Sequence, residues 1–336
     1  MKKLGKILLY LLVIVVVLLL GAINFTIGWR PFFGPKSRPL TSKKFESTPT
    51  RLVHGKYLAQ TRGCFGCHSP HNWTVHGAPI IEGKQGSGSD MSFEGLPGKI
   101  VAPNITPDPE TGAGTWTDDQ FARAIREGIG HDGRALFPMM PYEFYRRMSD
   151  EDMASLVVYL RSLPAVRNPL PRTELIFPVK YLIRNAPEPL SDPVPDPYRS
   201  DVTKWGEYLV RTAACGECHT PMVGHERPES MAFAGGFHLQ GPWGNVASAN
   251  LTPDASGIGY YDEALFIQAM HTGYVKAREL NEIMPYGEFA AIPDDELKAM
   301  FVYLKTVKPV KHRIDNSLPP TDCKVCQGKH GGGNLN

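Results

Sequence analysis

The sequence has little net charge and few cysteines. Formal net charge is only +2 over 336 residues, whereas a protein that binds nucleic acid by neutralising many phosphates needs a large basic excess; no nucleic acid is expected as a partner. Six cysteines are too few to staple a chain of this length as a disulfide scaffold, so their spacing matters more than their number. A cleaved-leader signature is also missing. After the N-terminal apolar run comes Gly21-Ala22-Ile23-Asn24-Phe25, with neither an A-x-A pattern nor a lipid-accepting cysteine. What is plentiful is glycine (33) and proline (30), which assigns much of the chain to loops rather than to long helices or sheets.

All six cysteines fall in three C-x-x-C pairs: Cys64/Cys67, Cys215/Cys218 and Cys323/Cys326. His68 and His219 directly follow the first two pairs. C-x-x-C-H is the spacing that lets two thiols bond the two vinyl groups of haem and places the next imidazole beneath the iron. The six residues Cys64, Cys67, His68, Cys215, Cys218 and His219 are therefore expected to attach two haem c groups, with His68 and His219 as proximal iron ligands.

The two motifs sit in matching units. Gly55-Lys56-Tyr57-Leu58 recurs as Gly206-Glu207-Tyr208-Leu209, Asn104-Ile105-Thr106-Pro107-Asp108 as Asn250-Leu251-Thr252-Pro253-Asp254, and Met140-Pro141-Tyr142 as Met284-Pro285-Tyr286. The offset drifts from 151 through 146 to 144, which means a net loss of loop residues in the second copy. Each unit reads as small and helical. Tyr57/Leu58 and Tyr208/Leu209 lie on a first helix, Thr117 caps a second, and Ser149-Asp150-Glu151-Asp152 caps a last helix with Met153, Leu156, Val157 and Leu160 on its apolar face. The loops Ile81–Lys99 and Met222–Gly244 are expected to lie over a haem without a core of their own. Eight prolines in residues 167–200 mark a connector, whose apolar stretch 174–183 is expected to pack between the two units.

The repeat aligns Met140 with Met284, making these the expected sixth ligands of the two irons; Met139 is the local competitor and Met153 reads as core. His54, His71, His76, His131, His225, His238, His271 and His312 have no counterpart in the other copy and read as surface or loop residues. Glu143 and Glu288 read as solvated glutamates at helix starts. The third pair lacks the adjacent histidine, and His330 stands four residues after Cys326. It is expected to form a local disulfide, or a Cys/Cys/His metal clip completed by a partner. The glycine-rich end after His330 reads as flexible.

Ile7 to Ile27 is a run of 21 residues without a charge, about 31 Å long as a helix at ~1.5 Å per residue and so able to span a bilayer core. Lysines precede it, but Arg30, Lys36, Arg38, Lys43 and Lys44 follow, so the positive-inside count is ambiguous. Haem attachment to thiols on the oxidising side resolves it, placing everything after residue 28 in the periplasm of a bacterial-type inner membrane. Residues 1–50 carry a net +7, 51–166 a net −2 and 201–312 a net −5, so the basic excess lies beside the membrane and the two heads are acidic.

Gly-x-Tyr-Leu before C-x-x-C-H, then Pro-Asn-Ile-Thr-Pro-Asp, Met-Pro-Tyr and Ser-Asp-Glu-Asp ahead of Tyr-Leu resemble the membrane-anchored cytochrome c subunits of periplasmic quinoprotein and flavoprotein dehydrogenases. The resemblance covers roughly residues 51–312. It implies a mainly α protein: N-terminus 1–6, transmembrane anchor 7–27, basic linker 28–50, class I cytochrome c domains at 51–166 and 201–312 around the connector 167–200, and a tail 313–336. It also implies His/Met ligation and single-electron relay from a dehydrogenase to the respiratory chain, with a terminal oxidase as acceptor. Two rival readings are a dihaem peroxidase or thiosulfate-oxidising enzyme with one open iron, and a docking subunit of a larger redox complex.

Overall fold

The computed structural model describes residues 2–93, 95–224 and 226–332. Its first element, α1 (Lys2–Phe25), is long and apolar enough to cross a membrane and buries none of its apolar window against the rest of the protein. The helix starts earlier and stops slightly earlier than the charge-free run, because Lys3 and Lys6 are good helix formers whereas Thr26 and Ile27 enter a turn before Gly28.

The remaining long helices form two sets of three. The first set is α2 (Pro49–Thr61), α3 (Asp118–Glu127) and α4 (Asp150–Arg161). The second is α5 (Val202–Thr212), α6 (Glu263–Thr272) and α7 (Asp294–Leu304). All of these starts but that of α7, which Pro293 precedes, are set by side chains that satisfy the orphan N–H groups of the first turn. Thr48, Ser149, Asp201 and Asp262 each accept from their own first turn, and Thr117 with Gln120 forms a reciprocal capping box. Gly128 and Gly273 end α3 and α6 at φ +70° and +72°, where a side chain is strained.

Within each set the first and last helices cross at a glycine. A Cβ on Gly55 would collide with the Ser155 carbonyl, and one on Gly206 with the Ala299 carbonyl. This close approach fixes the angle of both pairs and lets the helix faces close on one core each. Leu58, Phe121, Met153, Leu156 and Val157 fill the first; Leu209, Phe266, Leu297, Met300 and Leu304 fill the second. Sheet structure is minor and local. Ser89–Asp90 pairs antiparallel with Val101–Ala102, and His238–Gly241 with Gly244–Ala247. Gly88 N–H donates to His68 O and Gly235 N–H to His219 O, so 19 residues intervene in one copy and 15 in the other. The loop after the motif therefore absorbs most of the drift in repeat offset.

Two expectations need correction. The apolar connector stretch does not pack between the units: Glu174–Leu175 pairs with Gly98–Lys99 of the first unit. Just beyond it, Arg184 and Asn185 bond the carbonyls of Pro31 and Ile27. Backbone pairing with a free edge in its own unit wins over burial at the interface. The loop before residue 100 has a small core after all, with Met91, Ile100 and Ala102 gathering Phe93, Leu96, Cys67 and Leu175. The basic linker is held against the first unit. Arg38 bonds Asp119 (2.6 Å) and Glu127 (2.8 Å), and the backbone N–H groups of Thr41 and Phe45 donate to Asp119 and Asp118.

Replacing Gly55 or Gly206 by alanine is expected to cost roughly 1–3 kcal/mol through forced helix separation. Denaturant unfolding of each variant against the parent measures it, and an unchanged midpoint contradicts the close-crossing account.

Candidate haem sites

Each Cys-x-x-Cys-His motif forms a single helical turn, Cys64–His68 and Cys215–His219, entered through a left-handed residue. Gly63 takes φ +69° without cost, whereas Ala214 does so at φ +56° under strain. His68 and His219 are both buried, and each Nδ1–H donates to a backbone carbonyl at 2.7 Å, Pro103 O and Ala249 O respectively. A carbonyl only accepts, so the proton sits on Nδ1 and the Nε2 lone pair is left free to ligate. Burial lowers both imidazole pKa values, which holds them in the neutral, ligating form.

The same turns keep their thiols uncharged. Burial pushes Cys64, Cys215 and Cys218 up to about 12 and Cys67 to about 11. Such thiols are poor nucleophiles for disulfide exchange, whereas a thioether carries no charge. Beside the first turn lies a cavity of about 1340 Å³, lined by Cys64, Cys67, His68, Ile105, Met139 and Met140 among others. It exceeds the ~300–1,000 Å³ of an ordinary ligand pocket and has room for a macrocycle.

The methionine segments repeat in detail. Pro141 and Pro285 share φ/ψ of −81°/52° and −80°/50°. The following tyrosine is buried in each copy, with its ring against the left-handed glycine that ends α3 or α6; a Cβ on Gly128 or Gly273 would lie 2.6 Å from the Tyr142 or Tyr286 ring. These pairs fix the position of Met140 and Met284, which pack on the two cores. The pairing was not read from the sequence, although both glycines and both tyrosines recur in register. Met139 also lines the cavity but packs with Cys67 in the separate small core.

Asn104 and Asn250 do more than form a turn. Each side-chain carbonyl accepts from Thr106 or Thr252, and each amide donates to the chain after the last helix, at Val166 O (2.7 Å) or Val310 O (2.9 Å). The other histidines divide. His271 uses both nitrogens, on Ala290 O and Asp294. His131 stacks on Trp116 at the exposed rim of the cavity. His54 bonds Asp152 at 2.7 Å, and His76 bonds Glu279 at 2.7 Å. His225 lies outside the described residues. His312 is a correction: it is 1% exposed and packed on the tail cysteines, a contact made after the chain folds back.

The units meet through their site turns. Tyr57 of the first donates to Glu296 of the second, Tyr208 of the second donates to Asp152 of the first, and Arg62 is buried beside Tyr57. Phe144, past the first Met-Pro-Tyr, lies 3.2 Å from where a Cβ on Gly216 would stand. Glu288, past the second, lies 3.6 Å from the corresponding point on Gly66. Each attachment turn is therefore covered by the other unit's methionine segment. Glu143 is exposed as expected. Glu288 is not solvated: both carboxylate oxygens are buried and make no hydrogen bond among the described residues, because the opposite unit closes over them.

Residues 52–164 match the cytochrome c family. They form a cytochrome c domain. A cytochrome c domain carries haem c, and the buried neutral imidazole, uncharged thiols and large cavity beside them fit that group. The chain is 30% identical over 328 residues to a nicotinate dehydrogenase subunit of Pseudomonas putida (91% of this chain, 25% of the relative). It is 33% identical over 273 residues to the fructose dehydrogenase cytochrome subunit of Gluconobacter japonicus (76% and 52%). A diheme cytochrome c-type protein of Cereibacter sphaeroides is 26% identical over 289 residues (82% and 93%). The chain thus spans about a quarter and about half of the first two relatives.

Burial alone pushes the Glu288 carboxyl from its ordinary 4.5 up to about 8. Below about 4.5 it is neutral whether the chain is folded or unfolded. Between about 4.5 and about 8 the unfolded chain ionises and the folded one does not, so this group destabilises the fold increasingly until the penalty levels off above pH 8. Glu288→Gln is expected to gain stability relative to the parent as pH rises through that window, measured by denaturant midpoints. Parallel curves contradict the assignment.

Proposed function

We propose that this chain is a membrane-anchored dihaem cytochrome that takes single electrons from a dehydrogenase partner and delivers them to the respiratory chain, with a terminal oxidase as final acceptor. The observation that carries the reading is the reciprocal cover of the two attachment turns, each lying under the other unit's methionine segment. Such an arrangement suits passage of an electron from one unit to the next. A dehydrogenase donor is supported by the relatives that are cytochrome subunits of dehydrogenases. Two haems are supported by the repeated motif and by the diheme relative. Single-pass anchoring in the inner membrane, with the heads in the periplasm, is supported by α1, which is long and apolar enough to span, and by haem attachment on the oxidising side.

Haem c held at each site supplies a reversible one-electron ferric/ferrous couple. Cys64, Cys67, Cys215 and Cys218 attach it. His68 and His219, locked by Pro103 and Ala249, present one imidazole nitrogen each, and Met140 and Met284 present the thioethers that complete the set and raise the potential relative to a second histidine. Were Met140 and Met284 to ligate as His68 and His219 do, no position would be left for substrate, which separates a carrier from a peroxidase-type enzyme. Glu288 lies beside the first turn with Arg62, Tyr145, Cys64 and Cys67 as its titratable or charged surroundings. The two Glu288 carboxylate oxygens are buried there, and the His71 imidazole also reaches this turn, its Nε2 at 3.0 Å from Phe65 O.

Dithionite-reduced, detergent-solubilised protein is expected to form no carbon monoxide adduct, whereas Met140→Ala and Met284→Ala each open one site and give one adduct per chain. An adduct on the unaltered protein contradicts the carrier reading and favours an enzyme. An ionised Glu288 favours the more positive ferric state. The potential of the first site should therefore fall as pH rises through about 8, by at most ~59 mV per pH unit. Spectroelectrochemical titration of the parent and of Glu288→Gln measures this. A slope that persists in the glutamine variant contradicts the assignment.

A further inference from the structure

The tail cysteines are not isolated. His312, Cys323, Cys326 and His330 each offer one donor atom, and the four atoms lie within 4.8 Å of one another. His312 Nε2 is 3.2 Å from Cys323 Sγ, and His330 Nε2 is 3.3 Å from Cys326 Sγ. For tetrahedral coordination with metal–sulfur bonds of ~2.3 Å and metal–nitrogen bonds of ~2.0–2.1 Å, neighbouring sulfur and nitrogen ligands stand roughly 3.5 Å apart. The two observed separations are close to that edge.

The surroundings prepare the donors. His312 Nδ1–H donates to Ala234 O at 2.9 Å and His330 Nδ1–H to Arg313 O at 3.3 Å. Both carbonyls hold the proton on Nδ1 and turn the Nε2 lone pairs toward the sulfurs, the role that outer carbonyls play for metal-bound histidine. The Cys323–Cys326 loop folds back on itself: Gln327 N–H donates to Cys323 O at 2.9 Å, Cys323 N–H to Gly328 O at 2.7 Å, and Val325 N–H to Cys323 Sγ at 3.3 Å. Gln327 adopts φ +62° to close this turn, and Thr321–Asp322 pairs with Lys329–His330 around it. Gly236, at φ +88°, leaves room for both imidazoles; a Cβ there would lie 2.6 Å from His312 and 2.8 Å from His330. His312, Cys326 and His330 are buried, so the cluster is not a chance grouping of surface residues.

We propose that His312, Cys323, Cys326 and His330 form a structural site for a tetrahedral divalent cation of the zinc type. Two thiolates and two imidazoles are the soft and borderline donors such an ion prefers, and four protein ligands leave no open position for catalysis. Cys323 and Cys326 give up their protons on binding. A disulfide would use the two sulfurs and leave two buried imidazoles aimed at nothing. The fourth ligand comes from this chain's own His312, so no partner is required. The ion ties the tail to the segment Ala234–Gly236, and Gly235 N–H donates to His219 O at 2.8 Å. The site thereby braces the backbone of the second attachment turn, a support absent from the first unit among the described residues.

The test uses the full-length, detergent-solubilised holoprotein after gel filtration in metal-depleted buffer. Elemental analysis is expected to find one zinc per chain besides the haem iron, and absorption at the zinc edge to report two sulfur and two nitrogen neighbours. Cys323 and Cys326 should resist alkylation until a strong chelator is added, a measurement on unmutated protein that does not depend on variants folding. His312→Gln should lose most of the zinc while its haem spectrum stays intact; it would leave a disulfide unaffected. The proposal fails if no zinc is found and the alkylated chain has the mass of a Cys323–Cys326 disulfide. It also fails if His312→Gln retains its zinc with unchanged coordination.

Discussion

The structure depends on one reciprocal contact: each Cys-x-x-Cys-His turn is covered by the chain that follows the other unit's Met-Pro-Tyr. Phe144 covers Gly216 and Glu288 covers Gly66, with the Tyr57–Glu296 and Tyr208–Asp152 bonds holding the two halves in this relation. That contact is possible because both units have the same shape. The shape comes from the glycine crossings of α2 with α4 and α5 with α7, and from the tyrosines stacked on Gly128 and Gly273. A change of helix angle in either unit displaces its methionine segment and uncovers its neighbour's attachment turn. Two sites built this way share one desolvated interior.

Equivalent positions across the pseudo-twofold relation are not chemically equivalent. Phe144 on one side answers to Glu288 on the other, and Arg62 answers to Ala213. Glu288 thus faces the first attachment turn and Arg62 lies within electrostatic reach of both, while the second has the Phe144 cover, its own Glu217 paired with Arg227 at 2.7 Å, and the tail cluster behind it. The first unit is also the one strapped by the post-helix segment through Arg38, Thr41 and Phe45. The repeat supplies two similar frames; these few substitutions give the two sites different electrostatic surroundings.

Much of the architecture was legible because it is local. Capping residues, apolar spacing at three and four, and C-x-x-C-H all lie within a few residues of what they determine, and the repeat doubles each signal. What escaped depends on long separations in sequence. Glu288 reads as solvated at its own helix start, and only the approach of Gly63 and Gly66, more than 220 residues earlier, buries it. His312 has no counterpart in the first unit and looks like a loop residue until the tail folds back on it. The stretch 174–183 is apolar enough for an interface, yet its backbone finds an unpaired edge at Gly98–Lys99. Pattern reading detects an amphipathic face but not which of two surfaces covers it.

The most direct test of the account is the intact mass of the denatured, fully reduced chain, in which covalently attached groups remain and ligated metal is released. The account predicts the polypeptide plus two haems, falling to one when Cys215 and Cys218 are both replaced by serine. A single haem on the unaltered chain would contradict the paired-site reading. Three would place a haem on Cys323 and Cys326 and contradict the assignment of the tail as well.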